Sequence, residues 1–89
     1  MSVRVELSGQ LAVFAGQPAI DCPAADSVSD LIERLVTDHP KLRDALFDDD
    51  GNFRRTTLVA INGEQVQDQS KTAAPDGSEV LLLMPMAGG

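Results

Sequence analysis

The chain closes with residues 79–89, Glu79-Val80-Leu81-Leu82-Leu83-Met84-Pro85-Met86-Ala87-Gly88-Gly89, and no other stretch constrains its architecture as much. Residues 79–84 follow a turn signal at residues 75–77 and predict a strand that is apolar on both faces. Such a strand lies at the centre of a sheet, or its outer face meets a partner. Leu81 and Leu83 form the candidate docking surface if they face away from the core. The alternatives are the set Val80, Leu82 and Met84, or a strand covered on both faces within the domain.

One helix is predicted in the first half of the chain, after possible capping oxygens at residues 26–29. The helix extends over residues 28–38 and ends at His39-Pro40, because proline disfavours helical angles in the residue before it. Leu42, Ala45 and Leu46 predict a further helical turn. The apolar stripe of the main helix has the spacing i, i+3, i+4, i+7, i+8 and consists of Val28, Leu31, Ile32, Leu35 and Val36.

Strands flank this helix in the sequence. The apolar residues of 3–7 alternate with polar ones and the apolar set resumes at Leu11 and Val13, so we expect a first strand that continues there, a turn at 16–18 and a second strand at 19–22. Asn62-Gly63 predicts a tight hairpin between residues 57–61 and 64–66. If the last strand pairs parallel to the first, as a crossover helix allows, the chain end leaves from the centre of a mixed sheet.

Composition narrows the class of protein. The 89 residues fit one domain, and the formal charge of −7 would repel phosphate backbones, so nucleic acid is not an expected partner and a protein with a basic face is. No segment has the length or apolarity to span a membrane, and the N-terminus lacks a signal-peptide run. A single cysteine cannot form an internal disulfide. We therefore expect a cytoplasmic protein without membrane attachment.

Side chains with catalytic or metal-binding chemistry are few. Cys22 lies in a predicted strand and is interpreted as a small core residue rather than a nucleophile. His39 is assigned a structural role at a helix C-terminus instead of that of a general base. Residues 48–52, Asp-Asp-Asp-Gly-Asn, do not match a calcium loop, because Leu46 and Thr57 occupy the positions of its first and last acidic ligands. We expect no catalytic residue and no metal site.

The terminal diglycine is the candidate reactive group. Two residues without a Cβ can enter a slot too narrow for side chains. A carboxylate is a poor electrophile, but an ATP-using partner could convert it to an acyl-adenylate that sulfide, a persulfide or an amine attacks. The chain lacks a phosphate-binding glycine loop, so activation must come from outside and no cofactor is expected on this chain. The alternative is an unreactive glycine end.

These features together resemble the ubiquitin-like β-grasp sulfur carrier proteins of the MoaD/ThiS family over essentially the whole chain. The likeness is carried by the last strand leading into residues 85–89, by the Asn62-Gly63 hairpin and by the helix at 28–38. Residues 46–55 further resemble a loop of carriers that serve the biosynthesis of cysteine or of sulfur-containing metabolites. The resemblance implies an α+β fold with four to five strands in a mixed sheet on one main helix, a domain at 1–84 and a flexible tail at 85–89.

The resemblance also implies a chemistry. Gly89 would be adenylated by a ubiquitin-activating-like adenylyltransferase that consumes ATP, and then converted to a thiocarboxylate that a sulfur-accepting biosynthetic enzyme uses. The protein would be a co-substrate, not an enzyme. Two alternatives remain open: the small subunit of molybdopterin synthase, and a ubiquitin-like protein modifier joined to lysines. The tail residues that would enter the partner's channel are Pro85, Met86, Ala87 and Gly88.

Overall fold

A five-stranded mixed sheet forms the framework of the protein, and the computed structural model describes residues 2–84 of it. The strand order is β2-β1-β5-β3-β4. In chain order the elements are β1 (Val3–Leu7), α1 (Gln10–Ala15), β2 (Ala19–Cys22), α2 (Val28–Asp38), α3 (Pro40–Leu46), β3 (Leu58–Ile61), β4 (Glu64–Gln65) and β5 (Glu79–Leu83). This is the α+β ubiquitin-like β-grasp architecture that the sequence predicts.

The last strand occupies the middle of the sheet, as its two-sided apolarity indicates. β5 pairs parallel to β1 in the register Val5↔Val80 and antiparallel to β3 in the register Val59↔Leu82. β1 also pairs antiparallel to β2, and β3 to β4. The predicted parallel pairing of the first and last strands is therefore confirmed, and the chain end leaves from the centre of the sheet.

The main helix begins and ends where its apolar spacing predicts. The Ser27 hydroxyl accepts the Asp30 amide at 3.1 Å and caps the N-terminus of α2. The amides of Val28 and Ser29 donate to the carbonyls of Thr72 and Gln69 at 2.7 and 3.0 Å, so the first turn of α2 has its donors satisfied. The five apolar residues of the stripe are at most 2% exposed and form one core with the inner face of the sheet.

The predicted continuation of the first strand through Leu11 and Val13 is wrong. These residues lie in α1, a helix that Gly9 (φ 56°) precedes and Gly16 (φ 79°) ends. Positions two apart point roughly 200° apart around a helix, which buries Leu11 completely and leaves Val13 69% exposed. A strand would have placed both side chains on one face. The connection between the antiparallel neighbours β1 and β2 therefore contains α1 as well as the predicted turn at residues 16–18, and the second strand has its predicted bounds, residues 19–22.

The Asn62-Gly63 hairpin is confirmed as a two-residue turn. Asn62 has φ 50° and Gly63 has φ 87°, the left-handed angles of a turn that matches the twist of the flanking strands. The register Ile61↔Glu64 closes directly around it. The Asn62 side-chain oxygen also accepts the Glu79 amide at 3.0 Å, so the turn is tied to the start of β5.

The polar segment after β4 is anchored by Ala74 as well as by its hydrogen bonds to the start of α2. Ala74 is fully buried and exchanges two backbone hydrogen bonds with Ala25, at 3.0 and 3.2 Å. This bridge joins the segment to the connection between β2 and α2. Within residues 2–84, no helix has the length and apolarity needed to cross a membrane.

Candidate functional site

The point where the chain leaves the sheet lies between the end of β1 and the start of β3. The carbonyl of Leu82 accepts the Ser8 amide at 3.2 Å and the Ser8 hydroxyl at 3.3 Å, which fixes the end of β5 against the start of the connection between β1 and β2. A Cβ on Gly9 would stand 3.9 Å from the Met84 carbonyl oxygen. Gly9 and Met84 are therefore neighbours at this exit, at ordinary van der Waals distance. The predicted tail residues Pro85, Met86, Ala87, Gly88 and Gly89 lie outside the described residues.

The outer face of the sheet carries an apolar patch next to this exit. Of the two sets open in the sequence, Val80 and Leu82 are buried, whereas Leu81 and Leu83 are 38% and 37% exposed. Leu83 lies opposite Leu58, which is 43% exposed, and Leu81 lies opposite Ala60. We call Leu58, Ala60, Leu81 and Leu83 the apolar patch. Exposed leucines that adjoin across paired strands are typical of a protein-docking surface.

Charged side chains border the patch on its β1 side. Glu6 lies opposite Leu81 in the parallel pairing, and Arg4 lies opposite Glu79. The Arg4 Nε and Glu6 Oε1 atoms are 3.5 Å apart, and both side chains are about half exposed. This exposed ion pair adds little to stability. Its position gives the apolar patch a polar rim, the arrangement found around protein interfaces.

Leu58 and Ala60 are the two patch residues that the sequence interpretation did not include. A period of two through residues 57–61 places Leu58 and Ala60 on one face and Val59 on the other, so the signal was present. What the sequence does not contain is the pairing of β3 with β5, which brings Leu58 against Leu83 from a distant part of the chain.

Cys22 is a core residue, as interpreted. The side chain is buried at the end of β2, opposite Val3. Burial raises the pKa of its thiol above the ordinary value of 9.0, and the carboxylates of Asp38 and Asp21 raise it further. A thiol held in its neutral form is a poor nucleophile at neutral pH. The structure therefore gives Cys22 no activated chemistry.

His39 and the acidic loop at residues 48–52 both contribute to the local backbone structure. His39 is the C-cap of α2 and the N-cap of α3, and its amide donates to the Leu35 carbonyl at 2.9 Å. Asp48 accepts the amides of Asp50 and Asn52 through one carboxylate oxygen, both at 3.0 Å, so it closes its own turn. Across the described part of the chain, no cluster of three or more His, Cys, Asp or Glu side chains could hold a metal ion.

Fold and site together define a β-grasp domain whose C-terminal strand presents an apolar face and leads into a diglycine. The profile of the ThiS family matches residues 5–89, and the chain belongs to that family. The family comprises small ubiquitin-like carrier proteins that act as co-substrates of other proteins. The chain is accordingly a sulfur carrier or ubiquitin-like modifier of the ThiS family.

Two curated proteins illustrate the range of relatives. The chain is 35% identical over 86 residues to small archaeal modifier protein 1 of Haloferax volcanii, covering 94% of this chain and 97% of the relative. It is also 33% identical over 60 residues to the molybdopterin synthase sulfur carrier subunit of Chlamydomonas reinhardtii. That second match spans 67% of this chain and 63% of the relative.

Solved structures agree on the fold. The crystal structure of SAMP1 from Haloferax volcanii superposes with a TM-score of 0.89 at 31% identity, covering all of both chains. CysO from Mycobacterium tuberculosis has a TM-score of 0.78 at 24% identity over 94% of this chain and 99% of that one. A BexX/CysO complex from Amycolatopsis orientalis has a TM-score of 0.78 at 22% identity, over 98% and 99%. At these identities the last two support the fold alone.

Proposed function

We propose that this protein carries sulfur on its C-terminus: a partner enzyme adenylates the Gly89 carboxylate, and the adenylate is converted to a thiocarboxylate. The observation that carries the proposal is the continuity of the central strand β5, with its exposed Leu81 and Leu83, into the terminal diglycine. Membership of the ThiS family supports the same role. The proposal includes a cytoplasmic location, in keeping with the single, unpaired cysteine.

The chemistry requires a partner at each step. The Gly89 carboxylate attacks the α-phosphorus of ATP, and pyrophosphate leaves. Hydrosulfide then attacks the acyl carbon of the adenylate, and AMP leaves with the electrons of the broken carbon–oxygen bond. The resulting thiocarboxylate is anionic at neutral pH and nucleophilic at sulfur, so it can attack an activated carbon in an acceptor. We propose that the acceptor belongs to the biosynthesis of cysteine or of a sulfur-containing metabolite.

The length of the C-terminal segment suits a protein whose last residue reacts in the active site of a partner. Five residues follow Met84, and an extended chain spans at most about 3.6 Å per residue, so Gly89 can reach roughly 18 Å beyond the domain. A partner that holds the apolar patch can therefore place its reactive centre at that depth, with Pro85, Met86, Ala87 and Gly88 in the channel. We propose Leu81 and Leu83, with Leu58, as the surface that holds the domain at the channel mouth.

Partner proteins are a feature of structural neighbours. Besides the BexX/CysO complex, a complex of subunits 1 and 2 of the molybdopterin-converting factor from Helicobacter pylori matches at a TM-score of 0.65 and 19% identity. By analogy of fold, we propose two partners for this chain: a ubiquitin-activating-like adenylyltransferase and a sulfur-accepting enzyme.

A second function, modification of other proteins, is favoured by one specific observation. The 35% identical relative is named a modifier protein, and the match covers nearly all of both chains. In this case a lysine amine replaces hydrosulfide at the acyl carbon, AMP leaves, and an isopeptide bond forms. The third candidate is the small subunit of molybdopterin synthase, which the name of the Chlamydomonas relative favours.

One set of experiments separates these functions. Pyrophosphate exchange into ATP, catalysed by the co-occurring activating enzyme, should require this protein and should disappear when Gly89 is deleted. Exchange that persists without Gly89 contradicts all three functions. Adducts of higher mass that survive thiol reductants and need Gly89 favour the modifier. A lasting complex with a large catalytic subunit favours molybdopterin synthase, and a thiocarboxylate without either favours the carrier for cysteine or a sulfur metabolite.

A further inference from the structure

An open groove of about 500 Å³ lies beside β4, at one edge of the sheet. Its walls are the segment that leads into β3 and the segment that follows β4. β4 has only two residues, and beyond it the Val66 amide still donates to the Val59 carbonyl at 2.8 Å. After that bond the two segments separate, and the space between them is the groove.

The groove is locally cationic on an acidic protein. Arg54 and Arg55 are both exposed along it, and neither forms an ion pair with another residue of the described chain. The Nη2 atom of Arg54 donates to the Asp44 carbonyl at 3.2 Å. The other N–H groups of this guanidinium remain available to a ligand. The one carboxylate in the lining, Asp68, accepts the Ser70 amide and hydroxyl at 3.0 and 2.7 Å through the same oxygen. The lining therefore favours an anionic ligand although the whole chain has a charge of −7.

A second feature of the lining is independent of charge. Thr57 is only 6% exposed, and its Oγ1 atom has no hydrogen-bond partner within residues 2–84. Buried hydroxyl groups in proteins almost always have a partner. A polar ligand in the groove would supply one if the hydroxyl turned toward it. The lining of the groove thus contains an unsatisfied polar atom as well as two arginines without an ion pair in the described chain.

The groove and the apolar patch share one residue, Leu58. Leu58 lines the groove, and its side chain also lies opposite Leu83 on the outer face of the sheet. A protein seated on the apolar patch therefore meets Arg54 and Arg55 at the edge of its footprint. Complementary charge at such an edge fixes orientation and speeds encounter more than it adds affinity.

We propose that this groove binds an acidic segment of the partner protein that docks on the apolar patch. The inference rests on the proposed function, because that function requires such a partner. It also specifies the partner: most of its contact surface should complement an acidic carrier, but one carboxylate-rich segment should extend over the edge of the sheet. An extended segment suits the site, because the edge strand β4 is short and the groove runs alongside it.

The test uses a peptide probe in place of the unidentified partner. The acidic probe is a capped pentapeptide that alternates glutamate and valine, and two reference peptides carry glutamine or lysine in place of glutamate. Binding is followed by amide chemical shifts of the full-length protein at low salt. We expect the acidic peptide alone to shift Arg55, Gln67 and Ser70. The double variant Arg54→Gln/Arg55→Gln should weaken it about fivefold, the sum of two exposed ion pairs.

A matched variant controls for net charge. Arg34→Gln/Lys41→Gln removes the same charge from exposed helical positions away from the groove and should change the affinity by less than about twofold. Equal binding of the glutamine peptide, shifts confined to other surfaces, or an equal loss in the control variant would overturn the proposal. So would self-association that only the groove variant abolishes, because the occupant would then be a second copy of this chain.

The groove proposal and the proposed carrier function can be refuted independently of each other. If wild-type protein is adenylated at Gly89 but the acidic peptide does not bind, the groove inference is wrong and the carrier function stands. If the peptide binds in the groove but no activating enzyme charges Gly89, the groove recognises an acidic protein in some other process and the carrier function is wrong.

Discussion

Two neighbouring leucines in β5 lie on opposite faces of the sheet: Leu82 belongs to the core and Leu81 to the apolar patch. Truncation of Leu82 should therefore have a different consequence from truncation of Leu81. Leu82 is fully buried between Leu7 and Val59 in the sheet, so Leu82→Ala removes packed methyl groups and leaves a cavity. Such changes destabilise proteins by about 3 to 5 kcal/mol. Leu81 is 38% exposed, and the same truncation there should cost about 1 to 1.5 kcal/mol, since only part of the side chain is removed from water.

The difference matters because the domain is small. A chain of 89 residues is expected to have a free energy of unfolding of roughly 4 to 13 kcal/mol, so Leu82→Ala could remove a large share of it. Urea denaturation of both variants gives the comparison, with an unchanged m-value as the check on two-state unfolding. Leu81→Ala should instead slow charging by the activating enzyme. Equal losses of stability in the two variants would refute the assignment of β5 residues to opposite faces.

Variants at three further positions test local features. Gly63→Ala should destabilise the protein by about 1 to 2 kcal/mol in urea denaturation, because alanine is strained at φ 87°; an unchanged midpoint would contradict the turn geometry. Ser27→Ala should cost about 1 kcal/mol through loss of the cap on Asp30, and Ser27→Asp should restore most of it. The raised pKa of Cys22 means that the unfolded state ionises first, so stability should fall as the pH rises above about 9 and fall less in Cys22→Ala. The same slope in both proteins would exclude Cys22 as the cause.

The elements that the sequence predicts correctly are those whose signals are local. The apolar stripe of α2 extends over more than two helical turns, Pro40 marks the end of the helix, and Asn62-Gly63 encodes a turn in two residues. The apolar residues on both faces of β5 likewise predict its central position, because a strand that is paired along both edges lies far from the polar rim of the sheet.

The features that the sequence does not predict depend on distant pairings or on very short elements. α1 has six residues, too few for a helical period to differ from strand alternation at Leu11 and Val13. Ala74 has no pattern of its own, and it is buried because Ala25 pairs with it. The groove likewise combines Arg54 and Arg55 with a segment that begins at Gln65, and only the closing of the hairpin brings these together.

The central claim is that Gly89 accepts sulfur, and the mass of the C-terminal peptide tests it most directly. The protein is incubated with its activating enzyme, ATP and sulfide and is then digested. The mass of the peptide that contains Gly89 is measured by mass spectrometry. The account predicts a gain equal to the difference between one sulfur and one oxygen atom, located on Gly89 by fragmentation and dependent on ATP. An unchanged mass while the enzyme turns over ATP with this protein, or sulfur found on Cys22 instead, would contradict it.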